Sequence, residues 1–330
     1  MNFPRFEYVW QSFGVFQFFL YPFSFLYQFF IWLRRQLFKF KILKTYKFDV
    51  PIVVIGNITV GGSGKTPLVV WLAKYCIQKG WRVGIVSRGY KGKASKWPQQ
   101  VRPDSDPISV GDEAILLAAN TNCPVCVSPK RVDAINSLLD HNECDIIISD
   151  DGLQHYSMGR DLEIVVIDGK RRFGNCLFLP AGPLREPLKR VNEADLVIVN
   201  GQSKFKEFSI EKEEPEAISI IDGARKNLSD FEGRKIIAIA GIGNPRVFFD
   251  LLLDYGLVLE EKPFPDHYNY KREDLLFNSD IPILMTEKDA VKCKRFLSGK
   301  NAWIVNNEIK PDDIFIHRLN VALEELINIY

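Results

Sequence analysis

A chain of 330 residues with 46% hydrophobic side chains has the apolar content for a large core and more than one lobe, which excludes a disordered or fibrous protein. The formal charge of +2 is unevenly spread: residues 1–48 carry seven Lys/Arg against one acid, while residues 49–330 carry 36 basic against 40 acidic side chains. A body with that balance lacks the cation surplus that binds nucleic acid, so no nucleic-acid partner is expected, and nothing in the sequence calls for a protein partner.

From residue 8 to residue 33 there is no charge and half the positions are aromatic, among them Trp10, Phe16, Phe19, Phe23, Phe30 and Trp32. Arg34, Arg35, Lys39, Lys41, Lys44 and Lys47 follow with no acid until Asp49. A secretory signal has its positive charge before the apolar run and a small-residue cleavage site after it; this segment has neither and reads as a membrane anchor. As a helix it is about 39 Å long, enough to span. Its richness in Phe, Tyr and Trp, the mid-run Pro22 and a polar stripe of Gln17, Ser24, Gln28 and Arg35 favour an interfacial or re-entrant anchor. A single span, or a helix packed on the protein itself, are the alternatives. The basic flank suits anionic headgroups at the membrane surface.

Next, an apolar strand at residues 52–55 runs into Asn57-Ile-Thr-Val-Gly-Gly-Ser-Gly-Lys-Thr-Pro67, and a helix is predicted from about residue 66 to 79. Strand, glycine turn and helix in that order are a phosphate-binding loop. Its glycines let backbone N–H groups turn toward phosphate oxygens, Lys65 reaches the outer phosphates, and Thr66 offers a hydroxyl to Mg²⁺. Thr59, Val60, Gly61, Gly62, Ser63, Gly64, Lys65 and Thr66 are therefore the expected nucleotide-binding residues, with Thr59 standing where the usual pattern has glycine.

Apolar runs at 83–86, 145–149, 163–167 and 196–199 alternate with helical patterns, which predicts a mostly parallel sheet flanked by helices, a P-loop NTPase-type α/β fold. A charged patch at 204–216 precedes runs at 218–221, 235–240, 282–285 and 302–305, read as a smaller α/β lobe. The expected organisation is an anchor and basic flank over 1–48, a nucleotide-binding domain over 49–210 and the smaller lobe over 211–330. Gly241-Ile-Gly243-Asn-Pro lacks the third glycine of a dinucleotide fingerprint and reads as a tight turn before a helix. Of six cysteines only Cys123 and Cys126 have a ligand-like spacing, with no second pair, so no zinc site is expected.

Three candidate groups remain. The strand ending Asp150-Asp151 delivers a carboxylate to the metal side of the loop, with Gln154 and His155 following at once. Asp112 and Glu113 open a helix, where Asp112 reads either as an N-cap or as a base for an attacking hydroxyl. His267 is a lone loop histidine, either a surface residue or a partner that orients such a carboxylate.

Together with Ser87-Arg-Gly-Tyr90, Val110-Gly-Asp-Glu-Ala114, Asp150-Asp-Gly-Leu-Gln-His155, Leu179-Pro-Ala-Gly-Pro-Leu-Arg-Glu-Pro187, Phe264-Pro-Asp-His-Tyr268 and Thr286-Glu-Lys-Asp-Ala290, the loop makes seven ordered motifs. The series resembles that of the tetraacyldisaccharide 4′-kinases. The resemblance implies an ATP-dependent phosphotransferase acting on an alcohol group in lipid A biosynthesis, with ATP and Mg²⁺ as cofactors. Its acceptor is an acylated glucosamine disaccharide 1-phosphate at the cytoplasmic face of the inner membrane. It further implies Lys65 and Thr66 on phosphate and metal, Asp150 on the metal side, and Asp112 with His267 as base and partner. Arg88, His155 and Asn57 are the implied headgroup contacts, while Glu113, Asp151, Gln154, Arg185 and Glu186 belong to the site without a single role. The competing class is a membrane-recruited GTPase or ATPase switch, for which Thr286-Glu-Lys-Asp289 slightly resembles a guanine-specificity motif; Glu287 is the wrong residue type for it.

Overall fold

The aromatic run becomes one helix, α1 (Val15–Lys39), with Pro22 inside it and Gln17 and Ser24 as its buried residues. The computed structural model of the chain describes residues 10, 12–204, 206–277, 281–297, 299–306 and 308–330, so the first positions of the expected anchor, 8, 9 and 11, lie outside the described residues.

Continuous apolar runs, buried on both faces, are what a central parallel strand needs. β1 (Ile52–Gly56) is buried at every position. Its Val53 and Ile55 join the cluster that holds Leu68, Val69 and Leu72 of α2 (Lys65–Gln78). Ile52 and Val54 point the other way, into the cluster with Ile135 and Leu138 of α5 (Arg131–Leu139). Between these helices come β2 (Val83–Ser87), β3 (Gln99–Val101), α3 (Pro107–Val110), α4 (Asp112–Thr121) and β4 (Val125–Val127). After α5 follow β5 (Ile146–Asp150), β6 (Leu162–Asp168), β7 (Leu196–Asn200) and β8 (Phe208–Lys212). β8-β7-β6-β1-β5-β2-β4 pair in parallel in that order, with β3 antiparallel at one edge. Ligands in such sheets bind at the carboxyl ends of the central strands, where the phosphate loop leaves β1.

The second sheet takes β9 (Glu216–Ser219), β10 (Arg225–Asn227), β11 (Lys235–Ala240), β12 (Val258–Pro263), β13 (Ile283–Thr286) and β14 (Ala302–Asn306). β12-β11-β13-β14 are parallel, while β9 and β10 add antiparallel strands at the edge. α6 (Pro245–Asp254) follows the Gly241–Gly243 turn as expected, and α7 (Glu287–Cys293) follows β13.

A single cut at 210 does not describe this chain. β8 runs across that position, and β15 (Ile309–Pro311) returns to pair antiparallel with it at the edge of the first sheet. α8 (Asp313–Ile329) then sets Phe315, Leu319 and Leu323 into the first sheet's core. The physical reason lies in the assembled sheet: without β15, β8 is an edge strand with an open side, and an apolar stripe on α8 needs a core to cover it. Phe315 is fully buried, with Trp71 and Phe208 at ring-centre distances of 6.2 and 5.6 Å. Phe315→Ala should therefore cost about 3–5 kcal/mol in urea unfolding; a loss under about 1 kcal/mol would mean that α8 is not part of this core.

Candidate active site

Pairing of Ile55 with Asp150 places the last carboxylate of β5 beside the strand that launches the phosphate loop. Two braces hold that loop. Beneath it, Asn57 donates from Nδ2 to Ser63 Oγ at 3.0 Å, and Gln154 Nε2 donates to the Asn57 carbonyl at 3.0 Å. Alongside it, Val60 N donates to the Pro183 carbonyl at 2.9 Å and Arg185 N to the Ile58 carbonyl at 2.7 Å. Asn57 is 2% exposed and its Nδ2 braces the loop, while its Oδ1 has no partner among the described residues.

The two adjacent acids at the end of β5 have opposite environments. Asp150 is buried, receives Ser87 Oγ on Oδ2 at 3.4 Å, and has no partner for Oδ1. Burial, then the charges of Glu113 and Asp151, push its carboxyl up to about 7 against Lys65 and Arg131. A buried carboxylate oxygen without a partner, beside a loop that offers Thr66, fits a divalent cation, which would settle the charge that burial penalises. Asp151 sits at φ 48° and takes both Nη1 and Nη2 of Arg185 at 3.1–3.2 Å, with Lys65 Nζ 3.5 Å from Oδ1. Burial opposes its ionisation, but Lys65, Arg185 and Arg131 outweigh it and hold the carboxyl at about 2. Arg131, which sequence reasoning missed, is 1% exposed and donates from Nη2 to the Asp150 carbonyl at 2.8 Å, fixing the backbone on which both acids hang.

Asp112 is not the N-cap of α4; Gly111 is, at φ 88°. A Cβ there would lie 2.5 Å from the Tyr90 carbonyl, so glycine lets the chain turn tightly against the loop after β2 and aims Asp112 inward. Asp112 is 4% exposed, and His267 Nδ1 lies 2.9 Å from both of its oxygens. The Tyr90 ring meets the imidazole edge to face at 5.7 Å, and Asp266 approaches Nε2 at 3.6 Å. Two further cations come from α7: Lys288 bonds Glu113 at 2.7 Å, and Lys292 Nζ lies 3.6 Å from Asp112. Burial again opposes ionisation, yet His267, Lys288 and Lys292 bring Asp112 down to about 2. Lys288 and Lys292 were also missed; their spacing from Thr286 on one short helix was the available signal.

His155 is held neutral, its imidazole pushed down to about 3 by burial and then by Arg131 and Arg88. Arg88 is exposed beside it. Glu186, expected somewhere in the site, is fully buried and accepts Tyr156 OH at 2.9 Å, so it supports the wall and does not face a ligand. Asp289 is likewise fully buried, receiving Gly241 N–H at 2.9 Å and Tyr270 OH at 2.8 Å. That internal role removes the observation behind a guanine-specific switch.

A phosphate loop, a cation-ready carboxylate and, across the same cleft, a carboxylate–imidazole pair are the parts of a P-loop phosphotransferase whose acceptor is a hydroxyl. The comparisons with known proteins agree. The chain matches the profile of the tetraacyldisaccharide-1-P 4′-kinase family over residues 16–324. It is 50% identical over 288 residues to a tetraacyldisaccharide 4′-kinase of Nitrosococcus oceani, covering 87% of this chain and 85% of that one. With the enzyme of the same description from Hahella chejuensis it shares 42% over 329 residues, covering 97% and 96%. LpxK of Aquifex aeolicus, solved in complex with ATP, superposes with a TM-score of 0.83 at 30% identity, covering 95% of this chain and all of that one. The chain belongs to the tetraacyldisaccharide-1-phosphate 4′-kinase family, and as a member it is a kinase of lipid A biosynthesis that uses ATP with Mg²⁺.

Asp112 also carries a pH signature. Its carboxyl is depressed to about 2 from 3.8, so the stability it contributes is complete above the unfolded value and is lost as pH falls toward the folded one. In urea unfolding, the stability difference between the parent and Asp112→Asn should shrink by about 2 kcal/mol between about pH 5 and pH 2. A difference that stays constant over that window would show that Asp112 gains nothing from its ion pairs.

Proposed function

We propose that the chain phosphorylates the 4′-hydroxyl of a tetraacyl disaccharide 1-phosphate with Asp112 as the proton acceptor, and that it does so while lying on a membrane surface. The observation that carries the reading is the Asp112–His267 contact at 2.9 Å, beside Glu113, whose charge reaches the Asp150 carboxyl next to the strand that launches the phosphate loop. An ionised, nearly inaccessible carboxylate whose second hydrogen-bonding direction is fixed by an imidazole is poised to accept one proton from an alcohol. His267 orients it and takes up charge as the proton arrives, and Lys292 and Lys288 keep the pair from holding a proton prematurely.

On the donor side, Lys65 and the loop N–H groups bind the phosphates of ATP, and Thr66 and Asp150 are the residues suited to hold Mg²⁺. The cation, when bound, neutralises the charge that develops between the β- and γ-phosphates. Asp151 keeps Lys65 aimed along the loop until phosphate competes for it. Arg88, His155 and the arginines beside them offer a cationic wall with a neutral imidazole in it, chemistry that suits a phosphorylated sugar headgroup.

Membrane placement is supported by α1. Ser24 Oγ donates to the Phe178 carbonyl at 2.7 Å and accepts Ala181 N–H at 2.9 Å, and Arg35 pairs with Glu193 at 2.6 Å. Ser24 and Arg35 of the polar stripe are therefore held on the body and Gln17 is buried, with Gln28 exposed, while Phe18, Phe19, Phe23, Phe25 and Phe30 face outward. A helix held at both Ser24 and Arg35, about 16 Å apart along its axis, cannot carry that stretch through hydrocarbon, which favours an interfacial anchor over a span. Lys39, Lys41, Lys44 and Lys47 are exposed beyond its end and suit anionic headgroups on the cytoplasmic face.

Transfer of labelled phosphate from ATP to a tetraacyl-disaccharide 1-phosphate in detergent micelles tests the chemistry. Asp112→Ala should lower kcat about 10²–10⁴-fold with ATP affinity preserved; an unchanged kcat would remove Asp112 as base. For the membrane, replacing Phe19, Phe23 and Phe30 together by Ser should weaken sedimentation with anionic vesicles by about 10²-fold or more. Undiminished binding would mean that the aromatic face does not enter the bilayer.

A further inference from the structure

Arg171 sits at the mouth of the phosphate loop, although it comes from a different strand. β6 is the neighbour of β1, and its last residue, Asp168, receives Arg171 N–H on Oδ1 at 2.8 Å and Arg171 Nε on Oδ2 at 2.9 Å. One carboxylate thus fixes both the backbone and the side chain of the arginine. The far end of the guanidinium reaches over the loop, where Nη2 donates to the Gly62 carbonyl. Nη1 lies so close to Gly61 that a Cβ there would be 2.8 Å from it, at a residue whose φ is +100°.

The position matters because of what the loop does. In a strand–loop–helix of this length, the two glycines that precede the last turn before the lysine flank the terminal phosphoryl group. Lys65 approaches that group from within, anchored on Asp151. Arg171 stands on the outer rim, partly open to solvent at 28% side-chain exposure, with Asp168 behind it. Nη2 also lies 2.9 Å from Asp168 Oδ2, so Asp168 holds the guanidinium at the loop, and a phosphate oxygen bound there would be a stronger acceptor than the neutral Gly62 carbonyl. The lack of a side chain at Gly61 is what leaves room for the guanidinium.

We propose that Arg171 is a catalytic residue, an arginine supplied from within the chain that bonds the γ-phosphoryl oxygens as they gain charge during transfer. The inference rests on the reading of residues 59–66 as the loop that binds ATP. In the step, the acceptor oxygen forms its bond to the γ-phosphorus as the bond from that phosphorus to the β–γ bridging oxygen breaks. The electron pair leaves on ADP, and the hydroxyl proton passes to the Asp112–His267 pair. The phosphoryl group in flight is planar and loose, and a planar two-pronged donor matches it in a way an ammonium does not. Asp168 is then a positioning residue that sets the arm of the arginine.

The test compares Arg171→Ala, Arg171→Lys and Asp168→Asn in the full chain, with kcat measured at saturating ATP and acceptor. ATP affinity and the affinity for ADP with Mg²⁺ and aluminium fluoride, a planar mimic of the transferring group, are titrated directly. Arg171→Ala and Arg171→Lys should each lower kcat by about 10²-fold or more. Affinity for the planar mimic should fall in parallel and ATP affinity should hardly move, while Asp168→Asn gives a smaller loss of the same kind. Unchanged kcat, or loss of ATP affinity equal to the loss of mimic affinity, would overturn the proposal and leave Arg171 as a brace of the loop. Arg171→Lys keeps the charge and most of the bulk, so it reports even if the alanine variant does not fold. Lys65→Ala separates the two readings: if transfer survives in it, the loop assignment itself fails, whereas activity lost in Lys65→Ala but kept in Arg171→Ala sinks only the arginine.

Discussion

The site depends on one contact between the two sheets, the bond between Asp112 and His267. Asp112 opens a helix of the first sheet's layer, and His267 sits on the loop after β12 of the second. Neither is a base by itself. A carboxylate buried to 4% exposure is costly unless it is matched; its own helix supplies the Glu113 N–H at 3.0 Å, and the charged partners come from the far side, the imidazole at 2.9 Å, Lys292 Nζ at 3.6 Å and Lys288 through Glu113. Lys292 is itself 4% exposed on the side chain and braced by Asp289 at 3.5 Å, whose own position is fixed by Thr286, Gly241 and Tyr270. The packing of the second sheet's loops is thereby converted into the protonation state of a group on the first. Displacing the lobes even slightly leaves a buried charge unpaired, so the electrostatics that prepare the base also penalise the open arrangement.

The same logic, run in the opposite direction, separates Asp150 from Asp151. They are neighbours in sequence, Asp150 buried and Asp151 half-buried, and the first carboxyl is raised to about 7 while the second is depressed to about 2. The difference lies in which cations reach each one. Asp151 turns out through a left-handed backbone to meet Lys65 and Arg185; Asp150 stays at the strand end with a hydroxyl for company and an oxygen unmatched. Environments that push adjacent acids apart assign them different work. Asp151 is already matched by Lys65 and Arg185, whereas Asp150 keeps one oxygen with no partner among the described residues.

Much of this was legible in the sequence because it is written locally. The strand, turn and helix of the phosphate loop occupy consecutive residues, and the central strands β1, β2, β5, β6, β7, β11, β13 and β14 announce themselves as apolar runs, whereas the polar or short edge strands β3, β8, β10, β12 and β15 do not. What could not be read depends on contacts made at long range. Nothing near residue 112 says that Lys292 will stand beside it. Arg131 lies 19 residues from the backbone it holds, across β5. The return of residues 309–329 to the first sheet was hidden for the same reason, since an edge strand's open side is a property of the assembled sheet. Pattern gave Asp112 two roles, N-cap or base, and the Gly111 turn removes the first.

The segment from 178 to 186 explains why an anchor and a phosphate loop should share one chain. Its outer side takes α1, through Ser24 on Phe178 and Ala181 and the Tyr27 ring 6.4 Å from that of Phe178. Its inner side pairs with the loop, through Thr59 and Leu184, Val60 and Pro183, and it ends in Arg185 on Asp151. One strip of backbone therefore sets the height of the transferring phosphate above whatever surface α1 lies on. Arg34 adds to this from the helix itself, with its guanidinium 5.9 Å from the Tyr156 ring, next in sequence to His155. An acceptor whose acyl chains stay in the bilayer can present only its sugar headgroup, at a fixed distance from the hydrocarbon edge. If α1 lies on a membrane as proposed, holding the phosphate loop to that helix would fix the complementary distance on the enzyme, and orientation would come from the surface rather than from a deep pocket for the whole lipid.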